Sequence, residues 1–535
     1  MYKFKKMSTY TEKYADHLKK NLRGVDHLTA RKFLFRFGYS YSSFGMPEYY
    51  EPSNFDKIKL KRINWKNKPP PITKTLDIFT PKDYLSWRSF NFLNPYIYIH
   101  IVKEITESPN WILVKKLLSR KTLVNSFSVP NFYLKKSETA RSKSISNWLQ
   151  MAEKNLIKDC PNYNYLIVTD IKSFYASIYT HSIAWAIHGK SFIKSGKNRW
   201  NFGLLGNKLD KFFQNSRDGQ TNGIPTGSMV SDIIAELILT DIDQKLSDFI
   251  KNRNLTKSVL VLRFRDDYRI LSKNEDQCKL ILQGLNKILN TEYGLNLNFD
   301  KTKNYDDIIE GAFRPWSLEI KKSAVLRKIY YRDLSDCTST SFLKDCLIEI
   351  YNLQSKFKDG RASISVLSKL AEGLDKIINE IKLNLDDMPQ IVAILRKITL
   401  LREEATPQAF LLLDILLKKI KSAKEKREIL EEIGRVIRGK NDKDFQLMWF
   451  YRLCLSNRPS MCVTILSENS DIPLTNIMDR RKYRHDFNVF SKADLFASDI
   501  IELKKFSLIN RNKLNISKNK KIDPETINTF KTLSI

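Results

Sequence analysis

Hydrophobic positions change their period along the chain, and the changes divide it. Tyr165, Leu166, Ile167 and Val168 form a short apolar run that predicts a buried strand ending at Asp170. Two further runs, VLVLRF (259–264) and YRIL (268–271), flank Arg265 and Asp266, which predicts a β-hairpin with a tight turn. Between these strands, Ile233, Ile234, Leu237, Ile238 and Ile242 recur at helical spacing. Gly223, Pro225 and Gly227 impose a sharp turn before that helix, which Ser228 or Ser231 can cap. Helical and strand-like stretches alternate from about 85 to about 330, an α+β pattern. Beyond about 340 only the helical period survives. Leu343, Leu347, Ile350 and Tyr351 carry it, then Val366, Leu367, Leu370, Leu374, Ile377, Ile378 and Ile381, then Ile429, Leu430, Ile433, Val436 and Ile437. Glycine is rare there, so an all-helical region to about 470 is expected, a bundle or a stack of helix pairs. Residues 61–71 (KRINWKNKPPP) are basic and proline-rich and read as a connector. The expected units are 1–84, a basic N-terminal extension; 85–330, the α+β region; 331–480, a helical region; and 481–535, a basic tail.

Charge adds a partner to this picture. Lys and Arg total 91 of 535 residues against 59 acidic ones, a formal net charge of +32. Such an excess attracts polyanions through release of counterions from a phosphate chain. The clusters RRKYR (480–484) and KNKK (518–521) are either solvated or in contact with a nucleic-acid backbone. The six cysteines are scattered without a C-x-x-C pair, and His is equally sparse. Neither a disulfide framework nor a zinc cluster is expected, and a reducing cytoplasm fits. The N-terminus is basic but lacks the apolar core of a secretory signal. No unbroken apolar run reaches the roughly 18 residues of a membrane span, so no membrane partner is expected.

Three segments carry chemistry together that none carries alone. Asp170 closes an apolar strand, where a carboxylate is costly unless solvated, paired or holding a metal. The turn of Gly223, Pro225 and Gly227 is either plain connection or a place where backbone approaches a nucleotide closely. Asp266 and Asp267 repel each other between apolar strands, and a divalent cation resolves that repulsion; an exposed loop pair is the ordinary explanation. In this order, the lone Asp, the G-x-P-x-G turn with its helix and the hairpin bearing two Asp form the signature of a polymerase palm. A primer 3′-hydroxyl attacks the α-phosphorus of a nucleotide while pyrophosphate departs. Two carboxylate-held Mg²⁺ ions stabilise the attacking and leaving oxygens of that displacement.

At these residues the sequence resembles the reverse-transcriptase family. Asp170 matches the first catalytic aspartate, GIPTGS (223–228) the turn lining the nucleotide pocket, and FRDDY (264–268) the Y-x-D-D box. LQGLNKILNTEYGLNLNFDKTK (282–303) is similar to the G-L-x-L-N-x-x-K-T segment that follows that box. The match covers about 85–330. It implies a right-hand polymerase fold, fingers and palm with an antiparallel sheet, followed by an all-α C-terminal region of which part acts as a thumb. It also implies catalytic Asp170, Asp266, Asp267 and Lys301, the last as a general acid near the departing pyrophosphate; an exposed lysine is the ordinary reading. Asp170, Asp266 and Asp267 would hold two Mg²⁺ ions, with Mn²⁺ as a substitute. Ile171, Tyr175, Pro225, Thr226, Gly227, Phe264 and Arg265 would line the nucleotide site. Tyr175 aligns with the aromatic that blocks a ribose 2′-hydroxyl, so deoxynucleotides are the expected substrates; a core aromatic is the alternative.

Two departures stand out. The family has Gln where this chain has Thr226, and Tyr with a small or apolar neighbour where it has Phe264 and Arg265. An Arg there can either touch primer phosphate or alter metal and nucleotide affinity. Lys115, Lys116, Arg120, Lys121, Lys135 and Arg141, within the expected fingers (111–148), are candidates for gripping a triphosphate or are simply exposed. Trp87, Arg88 and the aromatics of 83–105 can stack on bases or pack in a core. His181 and His188 read as structural or phosphate-facing.

Within the family, DIKSFYASIYTHSIAWAIHGK (170–190) and RFRDDYRIL (263–271) look like bacterial defence-associated reverse transcriptases of the abortive-infection and unknown groups. The nearest likeness is to the first subunit of the type 3 antiphage system, which pairs two reverse transcriptases with a non-coding RNA. That resemblance implies an RNA template, a cDNA product, dNTP substrates, a second reverse-transcriptase subunit and homo- or hetero-oligomers. The rivals are an RNA-dependent RNA polymerase, an untemplated or protein-primed DNA polymerase, and a catalytically idle RNA-binding scaffold.

Overall fold

The computed structural model describes residues 9–39, 55–65, 70–81, 87–132, 156–312, 315–334, 339–358, 361–438 and 444–457. Lys135, Arg141 and both C-terminal basic clusters lie outside them.

Seven strands are present among the described residues: β1 (Leu76–Pro81), β2 (Trp87–Phe92), β3 (Val124–Ser126), β4 (Tyr165–Asp170), β5 (Val259–Phe264), β6 (Asp267–Ser272) and β7 (Lys303–Tyr305). β1 and β2 form a separate antiparallel hairpin, and the other five make one sheet in the order β3-β5-β6-β4-β7. Every neighbouring pair in that sheet is antiparallel except β3 and β5, which run parallel over three residues. The apolar runs read from the sequence are the three central strands. The parallel edge strand carried no such run.

Side chains alternate between two cores, as a pleated sheet requires. Ile167, Val261, Tyr268 and Ile270 join the large core, whereas Leu166, Leu260, Leu262, Phe264 and Leu271 join a smaller one with Phe127, Leu156 and Tyr163. The large core is built with α1 (Tyr10–Arg23), α2 (His27–Phe37), α3 (Pro95–Ile105), α4 (Ser108–Leu118), α5 (His181–His188), α6 (Leu205–Asn215), α7 (Met229–Asn252) and α8 (Glu275–Ile288). Ser228 caps α7, its hydroxyl accepting from the Ser231 backbone. This helix is buried along most of its length, and α8 lies against β4 and β6.

Packing, not stacking, uses most aromatics of the 83–105 segment: Phe90, Phe92, Tyr96 and Tyr98 are buried. Tyr98 donates its hydroxyl to Leu34 O. The side chains of Trp87 and Arg88 lie outside the described residues.

The C-terminal part is helical as its period predicts. It comprises α9 (Ala324–Tyr331), α10 (Thr340–Lys356), α11 (Ala362–Ile377), α12 (Met388–Leu401), α13 (Thr406–Lys419), α14 (Ala423–Arg438) and α15 (Asp444–Asn457). α10 packs on α12, α11 on α13, and α13 on α15; α15 also touches β1, so this region and the hairpin share a boundary. No helix among the described residues is long and apolar enough to cross a membrane.

Candidate active site

Register brings three aspartates together. In the β4–β6 ladder Asp170 stands directly opposite Asp267, and Asp266 occupies the two-residue turn between β5 and β6. The Ile171 backbone N–H donates to Asp266 O at 3.1 Å, tying the strand end to the turn. Residues directly opposite share a face of the sheet with Cβ atoms about 5 Å apart. Two like charges in that position repel.

The electrostatics record the repulsion. Desolvation at the packed strand ends, then the charges of Asp266 and Asp170, push the Asp267 carboxyl up to about 7, while Arg269 and Lys301 pull it down. Asp267 nevertheless keeps an open side toward solvent, so a cation can reach it. Lys301 Nζ lies 3.7 Å from Asp170 Oδ2. It is carried there because the 294–301 segment runs beside the Asp170 strand: Asn298 N donates to Asp170 O at 2.8 Å and Lys172 N to Asn296 O at 2.8 Å.

The oxygen-only donor set suits a hard divalent cation such as Mg²⁺, which accepts few carboxylates and keeps several waters. The mutual repulsion of the three groups is what such a cation would relieve. Among the described residues no three His, Cys, Asp or Glu side chains are already gathered as metal ligands.

The turn itself is braced from below. Arg265 has a left-handed backbone (φ 55°), a conformation that costs a non-glycine residue about 1 kcal/mol. Its N–H donates to Ser128 Oγ at 2.9 Å and its carbonyl accepts from Arg263 Nη1 at 3.2 Å. Arg263 is fully buried, with Nη2 2.8 Å from both Glu236 Oε1 and Asp243 Oδ2. Ser126 and Ser128 donate hydroxyls to the same Glu236 carboxylate at 2.6 and 2.7 Å. Burial works against charge at Arg263, but Asp243 and Glu236 outweigh it and hold the guanidinium well above its usual range. One cation serves the two carboxylates unequally. At Glu236 Arg263 and the serines overcome burial, while at Asp243 burial dominates and the carboxyl is raised.

The remaining candidates fall into two groups. Tyr175 sits in a single helical turn (Phe174–Ser177) just after Asp170, and its hydroxyl donates to Asp232 Oδ1 at 2.6 Å. Arg265 Nη2 lies 2.5 Å from Asp232 Oδ2, so the arginine points at α7 and an acid there. Ile171, Pro225 and Phe264, by contrast, are buried. Thr226 donates its hydroxyl to Ser89 O at 2.5 Å, and its N–H to Asn91 Oδ1 at 2.9 Å. Where the family has Gln, this residue ties the turn to β2. Gly227 (φ 111°) packs against the same hairpin, since a Cβ there would stand 2.2 Å from Phe90 Cε2.

Other candidates have structural partners. Lys115 donates to Arg23 O and Val25 O, and Arg120 lies 3.9 Å from Asp241; Lys116 and Lys121 are exposed. His181 pairs with Asp210 at 2.5 Å, and His188 Nε2 accepts from Gly206 N. Sequence reading missed Asp232, Glu236, Asp243, Arg263 and Ser128. A signal was available: Asp232, Glu236 and Asp243 stand at i, i+4 and i+11 along α7, interleaved with its buried apolar positions.

Residues 110–343 match the family described as reverse transcriptase (RNA-dependent DNA polymerase). The chain contains a reverse-transcriptase domain. That domain includes all three aspartates, Tyr175, Asp232 and Lys301. No curated protein matches the chain. Among solved structures it is similar to the apo telomerase of Candida tropicalis lacking its C-terminal domain, at 17% identity over 44% of this chain and 50% of that one, with TM-score 0.30. The apo telomerase of the same organism matches at 14% identity over 70% of each chain, with TM-score 0.30. Telomerase of Candida albicans in complex with a TWJ fragment of telomeric RNA matches at 12% identity, 70% of this chain and 66% of that one, with TM-score 0.31. The chain thus spans half the length of the first of these structures.

Proposed function

We propose that this chain is an RNA-directed DNA polymerase whose reverse-transcriptase domain holds two Mg²⁺ ions on Asp170, Asp266 and Asp267. The observation that carries the reading is the register of β4 against β6, which faces Asp170 with Asp267 and sets Asp266 beside them. Bound there, the ions would stabilise the attacking and leaving oxygens of nucleotidyl transfer, and Mn²⁺ would substitute. Lys301, more than half exposed and beside Asp170, is placed to give a proton to the departing pyrophosphate. Tyr175 walls the sugar site against a 2′-hydroxyl, so dNTPs are the substrates. The net charge of +32 supports an RNA template and a DNA product as partners.

The proposed domains follow the sequence divisions: 85–330 as fingers and palm, 331–480 as a helical region that includes a thumb, and basic segments at 1–84 and 481–535. The likeness of residues 170–190 and 263–271 to defence-associated reverse transcriptases supports a finer role. In that role the enzyme copies a system-encoded non-coding RNA in the cytoplasm during antiphage defence, with a second reverse-transcriptase subunit.

Primer extension on an RNA template with dNTPs and Mg²⁺ tests the core of this proposal. Asp266→Asn or Asp267→Asn should lower incorporation by about 10³-fold or more while RNA binding persists. Incorporation that survives either substitution would overturn the metal assignment. A product of template-independent sequence, or one covalently attached to protein, would replace templated synthesis with the untemplated or protein-primed alternative.

A further inference from the structure

Arg265 precedes the paired aspartates, and its guanidinium meets an acid on α7. Its Nη2 lies 2.5 Å from Asp232 Oδ2, and its Nη1 donates to the Tyr175 phenol oxygen at 3.4 Å. That phenol in turn donates to Asp232 Oδ1 at 2.6 Å. Each oxygen of Asp232 therefore takes a different partner, and the three side chains close a ring. The Arg265 and Asp232 side chains are only 20% and 13% exposed, so water competes weakly for these bonds. The ring borders a recess of about 40 Å³, lined also by Ser128, Pro130, Met229 and Glu236.

We propose that Asp232, together with Arg265, positions the Tyr175 ring and thereby sets how strongly the site prefers deoxyribonucleotides to ribonucleotides. The inference rests on the polymerase reading above, in which Tyr175 walls the sugar site. The Tyr175 ring is only partly buried against the core and meets Phe174 edge-on, so a polar anchor at its far end helps to select one staggered χ1 well. The backbone of the one-turn helix is itself held, Tyr175 O accepting from Ile224 N at 2.8 Å, which leaves the side-chain torsions as the freedom of the ring. The phenol oxygen is the far end of the lever. A carboxylate accepting from it makes a charge-assisted bond, and the guanidinium fixes the carboxylate in turn. A wall that excludes one added hydroxyl by shape alone discriminates only about 10²-fold, so a wall free to swing would lose much of that. Arg265 is not a phosphate contact in this arrangement. It is the partner that holds the second oxygen of Asp232 beneath the wall.

The measurement is kcat/KM for a dNTP and for the matching NTP on one primer–template, using the full-length chain. Tyr175→Ala removes the wall and should shrink the dNTP:NTP ratio by about 10²-fold. Tyr175→Phe keeps the ring and deletes its anchor, and Asp232→Ala deletes the acceptor. Each should shrink the ratio by about 10-fold through greater use of the NTP. The double variant Tyr175→Phe/Asp232→Ala should go no further than either alone, because both break one ring. A purely structural role for Asp232 would instead lower both kcat/KM values together and leave the ratio where it was. Tyr175→Phe removes a single oxygen and guards against a folding defect in Asp232→Ala. An unchanged ratio in both Tyr175→Phe and Asp232→Ala, with Tyr175→Ala still altering it, would overturn the positioning role and spare the polymerase. An unchanged ratio in Tyr175→Ala would overturn the wall and this inference with it. Absence of dNTP incorporation by the unaltered protein would overturn the polymerase reading itself.

Discussion

Asp267 shows how one side chain records the crowding of its neighbours. An ordinary aspartate releases its proton near 3.8, but desolvation and two neighbouring carboxylates raise this one to about 7. The unfolded chain loses that proton at the lower value, so the folded state carries a growing penalty from about pH 4 up to about pH 7, and a constant one above. Metal-free Asp267→Asn should therefore melt higher than the parent protein, with a small gap at pH 5 that widens to pH 7 and then levels off. Mg²⁺ should raise the melting temperature of the parent and leave the variant nearly unmoved, because the ion replaces the proton as the remedy for crowding. Thermal melts across pH, with and without Mg²⁺, check both halves. A gap that does not vary with pH would remove the electrostatic account. Thr226 shows the opposite case at the same scale. Its position invites a nucleotide contact, but its hydroxyl and N–H are both bound to β2.

At the scale of elements, the hairpin turn depends on α7 beneath it. Arg263 points to the α7 side of the sheet, shares Glu236 and Asp243, and holds the Arg265 carbonyl. Replacing it by Leu leaves two carboxylates buried without their cation, which should destabilise the fold by roughly 3–5 kcal/mol. The midpoint of urea unfolding measures that loss, and a shift worth under about 1 kcal/mol would mean that water or rearranged side chains serve the acids instead. The hairpin was legible in the sequence because its apolar runs and tight turn leave few alternatives. So were α7 and the three aspartates, since strand ends and turns are fixed by short-range pattern. The bracing was not legible, because Ser128, Glu236 and Arg263 lie far apart in sequence and meet only after β3 adds in parallel beside β5. The β1–β2 hairpin escaped for a similar reason. Its aromatics read equally well as base-stacking groups until Phe90 is found against Gly227.

At the scale of the whole molecule, charge and packing give different accounts of the N-terminal segment. Composition marks residues 1–84 as a basic N-terminal extension. The described part is instead joined to the rest. Leu22, Val25, Ala30 and Leu34 are buried in the large core. Thr11 donates to Asp159 at 3.0 Å, the buried Lys19 donates to Arg120 O at 2.9 Å, and Trp111 Nε1 donates to Val25 O at 2.9 Å. Lys19 also sits close enough to Asp243 and Glu236 to feel both charges, so α1 reaches the acids that brace the β5–β6 turn. An extension serving only to bind RNA could be cut away with a loss of affinity and no loss of stability. Deleting residues 1–24 should do more. Loss of the buried Leu22 alone removes about 1.5–3 kcal/mol, and Asp159 and the Arg120 carbonyl would lose Thr11 and Lys19 as partners. We expect the truncated chain to melt at least about 5 °C lower than the full chain, or to be recovered only as aggregate, with incorporation falling together with stability. An unchanged melting temperature accompanied by weaker, less salt-dependent RNA binding would instead make the segment a detachable basic arm, since only lost phosphate contacts reduce the dependence of binding on salt.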